Sequence, residues 1–280
     1  MRVAVFGASG FIGSHLTAAL SARGDEVRAG SLRDPSRAAQ LAAGCDAIAN
    51  LSGEPIAQRW NAAAKERIEA SRVALPRAFF EALAVTDGHP KVFVSASAVG
   101  YYGTSETRTF TEADPAGSGF LARVCERWEM QARRAAELGM RVACVRTGLA
   151  LGAGGGALAR LLWPFRLGLG GKIASGHQWY SWIHVDDLVG IYLMALDGAE
   201  GTLNATAPNP VRNEAFAAAL GAALHRPTPF PVPAFAVRAL LGEGSTVLLE
   251  GQRVLPERTQ RLGYAFRFPA LEPALAQILR

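Results

Sequence analysis

The feature that most constrains this chain is its first thirteen residues, in which Val3-Ala4-Val5-Phe6 runs straight into Gly7-Ala8-Ser9-Gly10-Phe11-Ile12-Gly13. The apolar run reads as a buried strand. Phe11 to Arg23 then shows helical spacing and stops at Gly24, a position suited to a left-handed C-terminal residue. Glycines at the strand-to-helix corner permit a sharp turn and let the backbone approach a pyrophosphate, while the helix N-terminus offers free N–H groups and a positive dipole end. The spacing therefore predicts dinucleotide binding along Gly7, Ser9, Gly10, Phe11, Ile12 and Gly13. An ordinary tight turn is the alternative, weakened by three glycines falling in register. A nucleoside-triphosphate loop is excluded, because no Gly-Lys-Ser/Thr ending occurs and the first lysine is Lys65.

Short strands alternate with helical segments after this unit, the pattern of stacked βαβ units. Strands are expected at Glu26–Ala29, Ala47–Leu51, Val92–Ser95 and Val142–Val145, with helices over Ala62–Leu83 and Phe120–Leu138. The fold class predicted is α/β: a Rossmann doubly wound parallel sheet with a smaller, mostly C-terminal substrate lobe. Residues 1–148 form the expected nucleotide-binding domain and 149–280 the lobe, with some later elements free to return to the sheet. Gly152–Gly156 and Gly168–Gly171 read as flexible stretches at the changeover, Val185–Leu196 and Asn213–Leu224 as helices, and proline-rich Pro227–Pro233 as a loop.

The formal net charge of +5 comes mostly from scattered arginines, with lysine only at positions 65, 91 and 172. A nucleic-acid surface needs clustered cations, so no nucleic-acid partner is expected. Cys45, Cys125 and Cys144 show no metal-ligand or CxxC spacing, which reads as reduced thiols and no metal. The strand at residue 3 leaves no room for a signal peptide. The apolar stretch Leu158–Leu169 is interrupted by Arg160, Pro164 and Arg166, so no membrane span is expected and the cytoplasm is the default location.

The end of the second strand bears on which dinucleotide binds. An acid there would hold a free ribose 2′-hydroxyl, whereas a 2′-phosphate wants a cation. The chain reads Ala29-Gly30-Ser31-Leu32-Arg33, with no carboxylate before Asp34. Ser31 can donate a hydrogen bond and Arg33 can meet a phosphate with its planar fork, so NADP (NADPH) is expected over NAD. An unrelated surface arginine is the alternative.

The glycine turn, Asn50-Leu51-Ser52-Gly53-Glu54-Pro55-Ile56, Ser95-Ala96-Ser97-Ala98-Val99-Gly100-Tyr101-Tyr102-Gly103, Trp128-Glu129 and Arg146-Thr147-Gly148 resemble the epimerase/dehydratase branch of the short-chain dehydrogenase/reductases. They are most similar to its atypical, YfcH-like "epimerase family protein" group. The similarity runs on through Pro164–Gly171, Trp182-Ile183-His184-Val185-Asp186-Asp187-Leu188 and Leu249–Pro256, reaching a C-terminal region of unknown function. The resemblance implies that Ser31 and Arg33 hold the adenosine 2′-phosphate, although this stretch is one residue longer than the group's usual pair. It also implies that Leu51, Ser52, Gly53 and Glu54 run along the cofactor's ribose and diphosphate.

Ordinary members of that family pair a serine after a central strand with Tyr-x-x-x-Lys, whose lysine helps depress the phenol pKa for proton exchange with substrate. Ser97 matches the serine. No tyrosine here has a lysine four residues on, and the segment expected to carry the pair reads Phe120-Leu121-Ala122-Arg123-Val124-Cys125. Tyr102, Tyr101 and, more remotely, His184 are candidates to stand in, each with a packing role as its alternative. Asp186 or Asp187 is expected to cap the following helix, and Trp179, Tyr180 and Trp182 to wall a pocket or sit in the core. Three functions remain open at this point: an NADP-dependent oxidoreductase or epimerase on a small hydroxylated or carbonyl substrate, a dinucleotide sensor without chemistry, and an assembly module that the cofactor stabilises.

Overall fold

The computed structural model describes residues 1–280. Strand β1 (Arg2–Phe6) leads into α1 (Phe11–Ala22), followed by β2 (Glu26–Gly30), α2 (Pro35–Ala42), β3 (Ala47–Asn50), α3 (Ala62–Arg72), α4 (Ala74–Leu83) and β4 (Val92–Ala98). A two-residue strand β5 (Thr109–Phe110) precedes α5 (Phe120–Arg133) and β6 (Arg141–Thr147). Then come β7 (Leu149–Leu151), α6 (Gly156–Arg166), β8 (Trp179–Tyr180), β9 (Trp182–His184), α7 (Val185–Asp197) and β10 (Gly201–Ala205). The chain closes with β11 (Val211–Arg212), α8 (Asn213–Ala223), α9 (Ala234–Leu241), α10 (Thr246–Leu249), β12 (Arg253–Val254), α11 (Glu257–Arg261) and α12 (Leu271–Ile278).

Six strands form one parallel sheet in the order β10-β6-β4-β3-β1-β2, the doubly wound arrangement expected, with residues 201–205 returning to its edge. Alternation along the strands assigns each face its own helices. Val3, Val5, Ala47, Ala49, Val94, Ala143 and Val145 pack with Leu16 and Leu20 of α1 and Leu188, Ile191 and Ala195 of α7. Ala4, Phe6, Ile48, Phe93 and Cys144 face the other way, against α2, α4 and α5. A third core joins Leu151, Leu158, Trp182, Phe216, Leu220, Leu271 and Leu275 in the C-terminal lobe. Each fully buried large apolar side chain contributes about 1.5–3 kcal/mol.

Local chemistry corrects several expectations. The helix expected over Ala62–Leu83 is two, broken at Val73 (φ −118°, ψ −59°). Pro76 offers no N–H to the preceding turn and its ring crowds the carbonyl four residues back. Phe120–Leu138 likewise ends as an α-helix at Arg133 and tightens into a 3₁₀ turn, Arg134–Leu138, before left-handed Gly139. The Gly152–Gly156 stretch is packed rather than merely flexible: a Cβ on Gly152 or Gly155 would lie 2.8 or 2.5 Å from the Phe11 ring. No helix is long and apolar enough to cross a membrane.

Candidate functional site

At the turn after β1, Gly7 sits at φ +84°, where L side chains are disfavoured, and a Cβ on Gly13 would lie 2.1 Å from the Gly7 carbonyl oxygen. Glycine is therefore obligatory at both places. A Cβ on Gly10 would meet only the Gly7 oxygen at 3.3 Å, so that position has more room. Gly10 is also the N-cap of α1, and no side chain caps this helix, in contrast to α2, where Asp34 accepts from the Arg37 N–H, and α3, where Asn61 accepts from the Ala64 N–H. The α1 N-terminus thus keeps its donors for an anion.

Leu51, Ser52, Gly53 and Glu54 lie beside that turn, since the Leu51 N–H donates to the Phe6 carbonyl at 2.8 Å and the Gly7 Cα packs on the Leu51 and Ser52 backbone. Ser52 Oγ is buried and has no hydrogen-bond partner. A buried hydroxyl left unpaired costs about 1–3 kcal/mol, so an acceptor or donor arriving with a ligand would relieve it. The uncapped helix and this orphan hydroxyl both fit a dinucleotide diphosphate.

After β2, the extra residue in Ser31-Leu32-Arg33 is absorbed by the core: Leu32 is only 1% exposed, packed among the β1, α2 and α4 side chains. Ser31 and Arg33 emerge on either side of it, both exposed, and Ser31 Oγ accepts from the Arg33 N–H at 3.3 Å. The Arg33 guanidinium takes part in no salt bridge and is free to meet a phosphate.

Farther along the same sheet, Ser97 lies near the end of β4, beside Arg146 of β6, which in turn lies beside Asn204 of β10. This row across three strands faces α5, and Glu129 of that helix closes it. Ser97 Oγ donates to Glu129 Oε1 (2.8 Å), while Arg146 Nε and Nη2 donate to the two Glu129 oxygens (2.7 and 2.9 Å). Arg146 Nη1 donates to the Tyr102 hydroxyl (2.9 Å), which donates to Asn204 Oδ1 (2.7 Å). All five side chains are buried. Burial disfavours the Arg146 charge, but hydrogen bonds and attraction from Glu129 outweigh it and hold the guanidinium above its ordinary range.

The same burial pushes the Tyr102 phenol up to about 12, only partly offset by Arg146, which is opposite to the shift that a proton-exchanging phenol needs at neutral pH. Tyr101 is half-buried; its ring lies under Arg146, with Cζ 3.3 Å from the centroid, and its hydroxyl stays outside the network. The adjoining cavity, of about 270 Å³, is lined by Tyr102, Gly103, Arg108, Phe110 and the segment Pro115–Ser118. Glu129, Arg146 and Asn204 were not singled out from the sequence as site residues. A charged residue within the apolar run Val142–Val145-Arg146 was the available signal, because an arginine there must be paired.

Among the other expectations the aspartate cap is overturned, while His184 takes the structural role that was its alternative and Trp182 and Tyr180 the core one. His184, not an aspartate, caps α7, its Nδ1 accepting from the Asp186 N–H (3.1 Å), while Nε2 meets Gln277 (2.9 Å) and the ring stacks on Phe268. Asp187 is instead buried and accepts the Arg267 and Phe268 N–H groups (2.8 and 2.9 Å), tying the C-terminal segment to α7. Trp182 is fully buried in the lobe's core and Tyr180 nearly so, whereas Trp179 is half-buried, with the Arg212 and Arg253 guanidiniums 4.0 and 5.3 Å from its ring centroid.

Comparison with known proteins bears on the same surfaces. Human epimerase family protein SDR39U1, crystallised with NADPH, superposes with a TM-score of 0.92 at 39% identity, covering 100% of this chain and 99% of that one. A nucleoside-diphosphate sugar epimerase from Corynebacterium glutamicum matches with a TM-score of 0.80 at 33% identity, over 100% of this chain and 58% of its own length. By sequence, the chloroplastic SDR39U1 homolog of Arabidopsis thaliana is 42% identical over 304 residues, 100% of this chain and 87% of that protein. A domain of unknown function, DUF1731, matches residues 232–278, and the NAD dependent epimerase/dehydratase family matches residues 3–206. The chain therefore belongs to the NAD dependent epimerase/dehydratase family, in the atypical group of epimerase family proteins that carry this C-terminal domain.

Proposed function

We propose that this protein is an NADP(H)-dependent oxidoreductase or epimerase acting on a small hydroxylated or carbonyl compound held between residues 1–148 and the lobe of residues 149–280. The observation that carries the reading is the uncapped, glycine-built N-terminus of α1, with the orphan Ser52 hydroxyl beside it and exposed Arg33 at the end of β2. The human relative crystallised with NADPH supports the choice of NADP over NAD. Gly7, Ser9, Gly10, Phe11, Ile12 and Gly13 would hold the diphosphate, Ser31 and Arg33 the 2′-phosphate, and Leu51 to Glu54 the ribose side. Bound there, the cofactor supplies a hydride donor or acceptor.

Ser97 would orient a substrate oxygen, its own proton directed to Glu129 and its lone pairs left to accept. Tyr101, whose hydroxyl is uncommitted, suits proton exchange better than Tyr102, which holds Arg146 and Asn204 in place. A second reading, a dinucleotide sensor without turnover, is favoured by a specific observation: the serine is already engaged with Glu129 and no Tyr-x-x-x-Lys pair exists.

The test compares wild type with Gly10→Val, whose added Cβ would press on one protein atom, the Gly7 carbonyl oxygen at 3.3 Å. Calorimetric titration should show NADPH affinity at least about a hundredfold weaker in the variant while its melting temperature without ligand changes little. Unchanged affinity in a folded variant would overturn the site. NADPH oxidation across a panel of small carbonyl compounds then separates the two readings.

A further inference from the structure

Two segments of the C-terminal lobe hold six of the ten large hydrophobic side chains that stand exposed in this chain: Trp163, Leu167 and Leu169 in one, Phe230, Phe235 and Leu240 in the other. Soluble monomers seldom leave such groups clustered on the surface. The core does not need them, because α6 already buries Leu158 and Phe165, and on its exposed side Arg160, Trp163 and Leu167 follow one another at the helical spacing i, i+3 and i+7. Helix α9 is more extreme. Its sequence, AFAVRALL, is apolar but for Arg238, yet only Val237 is buried. The two segments adjoin: Arg226 Nε donates to the Arg166 carbonyl (3.2 Å), the Val232 N–H donates to the Lys172 carbonyl (2.8 Å), and a Cβ on Gly171 would lie 2.0 Å from the Phe230 carbonyl oxygen.

Charge on this face is as uneven as hydropathy. Residues 152–172 and 215–242 contain Arg160, Arg166, Lys172, Arg226 and Arg238 and no aspartate or glutamate, so they carry the whole formal net charge of +5 and the rest of the chain is neutral. None of the four arginines forms a salt bridge, and Lys172 approaches Glu214 only to 3.9 Å. A symmetric contact with a second copy would set these cations against themselves, which opposes self-association. Apolar side chains projecting among unpaired arginines suit a lipid surface. There the rings and leucines enter the acyl boundary, while the arginine stems lie along it with their heads among anionic headgroups. Tryptophan is favoured at that boundary. We infer that this face, made by α6, residues 226–232 and α9, docks the protein on an anionic membrane surface. The protein lies on the bilayer and does not cross it with a helix, none being long and apolar enough.

The experiment sediments the full chain with vesicles of phosphatidylcholine alone or of phosphatidylcholine and phosphatidylglycerol in equal parts. Binding to the mixed vesicles should be at least about tenfold tighter than to the neutral ones and should weaken as salt is raised. Trp163→Ser combined with Phe235→Ser should weaken it about tenfold or more, and so should Arg166→Glu combined with Arg238→Glu. These side chains are exposed, so melting temperature and NADPH affinity should stay close to wild type. Arg77→Glu combined with Arg261→Glu makes the same change in net charge on α4 and α11 and should cost less than about threefold. No preference for the anionic vesicles, undiminished binding in either patch variant, or equal losses from the two pairs of charge reversals overturns the inference. So does a dimer in gel filtration that Trp163→Ser with Phe235→Ser abolishes, since a second copy would then cover this face.

Discussion

The turn after β1 and the row at the end of β4 are built from opposite materials. At the Gly7 turn the protein offers a ligand its backbone and empty space: glycines, an uncapped helix, an unpaired hydroxyl and a free arginine on the rim. At the end of β4 it offers side chains already engaged with one another, in a buried network of Ser97, Glu129, Arg146, Tyr102 and Asn204. The first is preorganised by absence and is completed by what binds. The second is complete without a ligand, so it fixes geometry at the cost of freedom to move protons.

The contrast breaks most directly at Glu129. Glu129→Gln leaves Arg146 buried without a counter-charge and should cost about 3–5 kcal/mol in urea unfolding, with NADPH affinity nearly retained in the folded fraction. A loss below 1 kcal/mol, on the order of an exposed pair, would mean that water reaches the network. The other region is probed by Arg33→Ala, expected to remove about 1.5–3 kcal/mol of preference for NADPH over NADH while leaving unfolding unchanged. Equal dissociation constants for both cofactors in wild type would remove Arg33 from the site.

The smallest effect belongs to Tyr102→Phe, about 1–2 kcal/mol less stable at neutral pH because Arg146 Nη1 and Asn204 Oδ1 lose a partner. Burial raises the folded phenol to about 12, whereas an unfolded one ionises near 10. Its contribution is therefore complete below about pH 10 and is lost as pH rises from about 10 to 12, so wild type should lose stability more steeply than the variant across that window. Parallel unfolding curves would place Tyr102 in contact with solvent.

Residues close in sequence carried most of what could be read early. The strand, three glycines and helix of residues 3–23 are one local unit, so their spacing alone predicted the turn and its ligand class, and Ser31 and Arg33 were legible because the end of the second strand follows directly. Leu32 shows the limit: its insertion raised doubt about the arginine in the sequence, and only burial against α2 and α4 explained how both polar neighbours reach the surface. Pro76 was visible as a residue, but its consequence, a break at Val73, was missed under a strong helical pattern.

By itself the sequence determined the alternation of strands and helices, the glycine turn, the missing lysine and the family, since each is written in neighbouring residues or in residue counts. Only the tertiary structure decided that Ser97, Arg146 and Asn204 form a row across three strands under Glu129, and that His184 and not an aspartate caps α7. The physical reason is that charge pairing and burial depend on strand order and register, which bring together residues up to 107 positions apart, from Ser97 to Asn204. No local spacing encodes that.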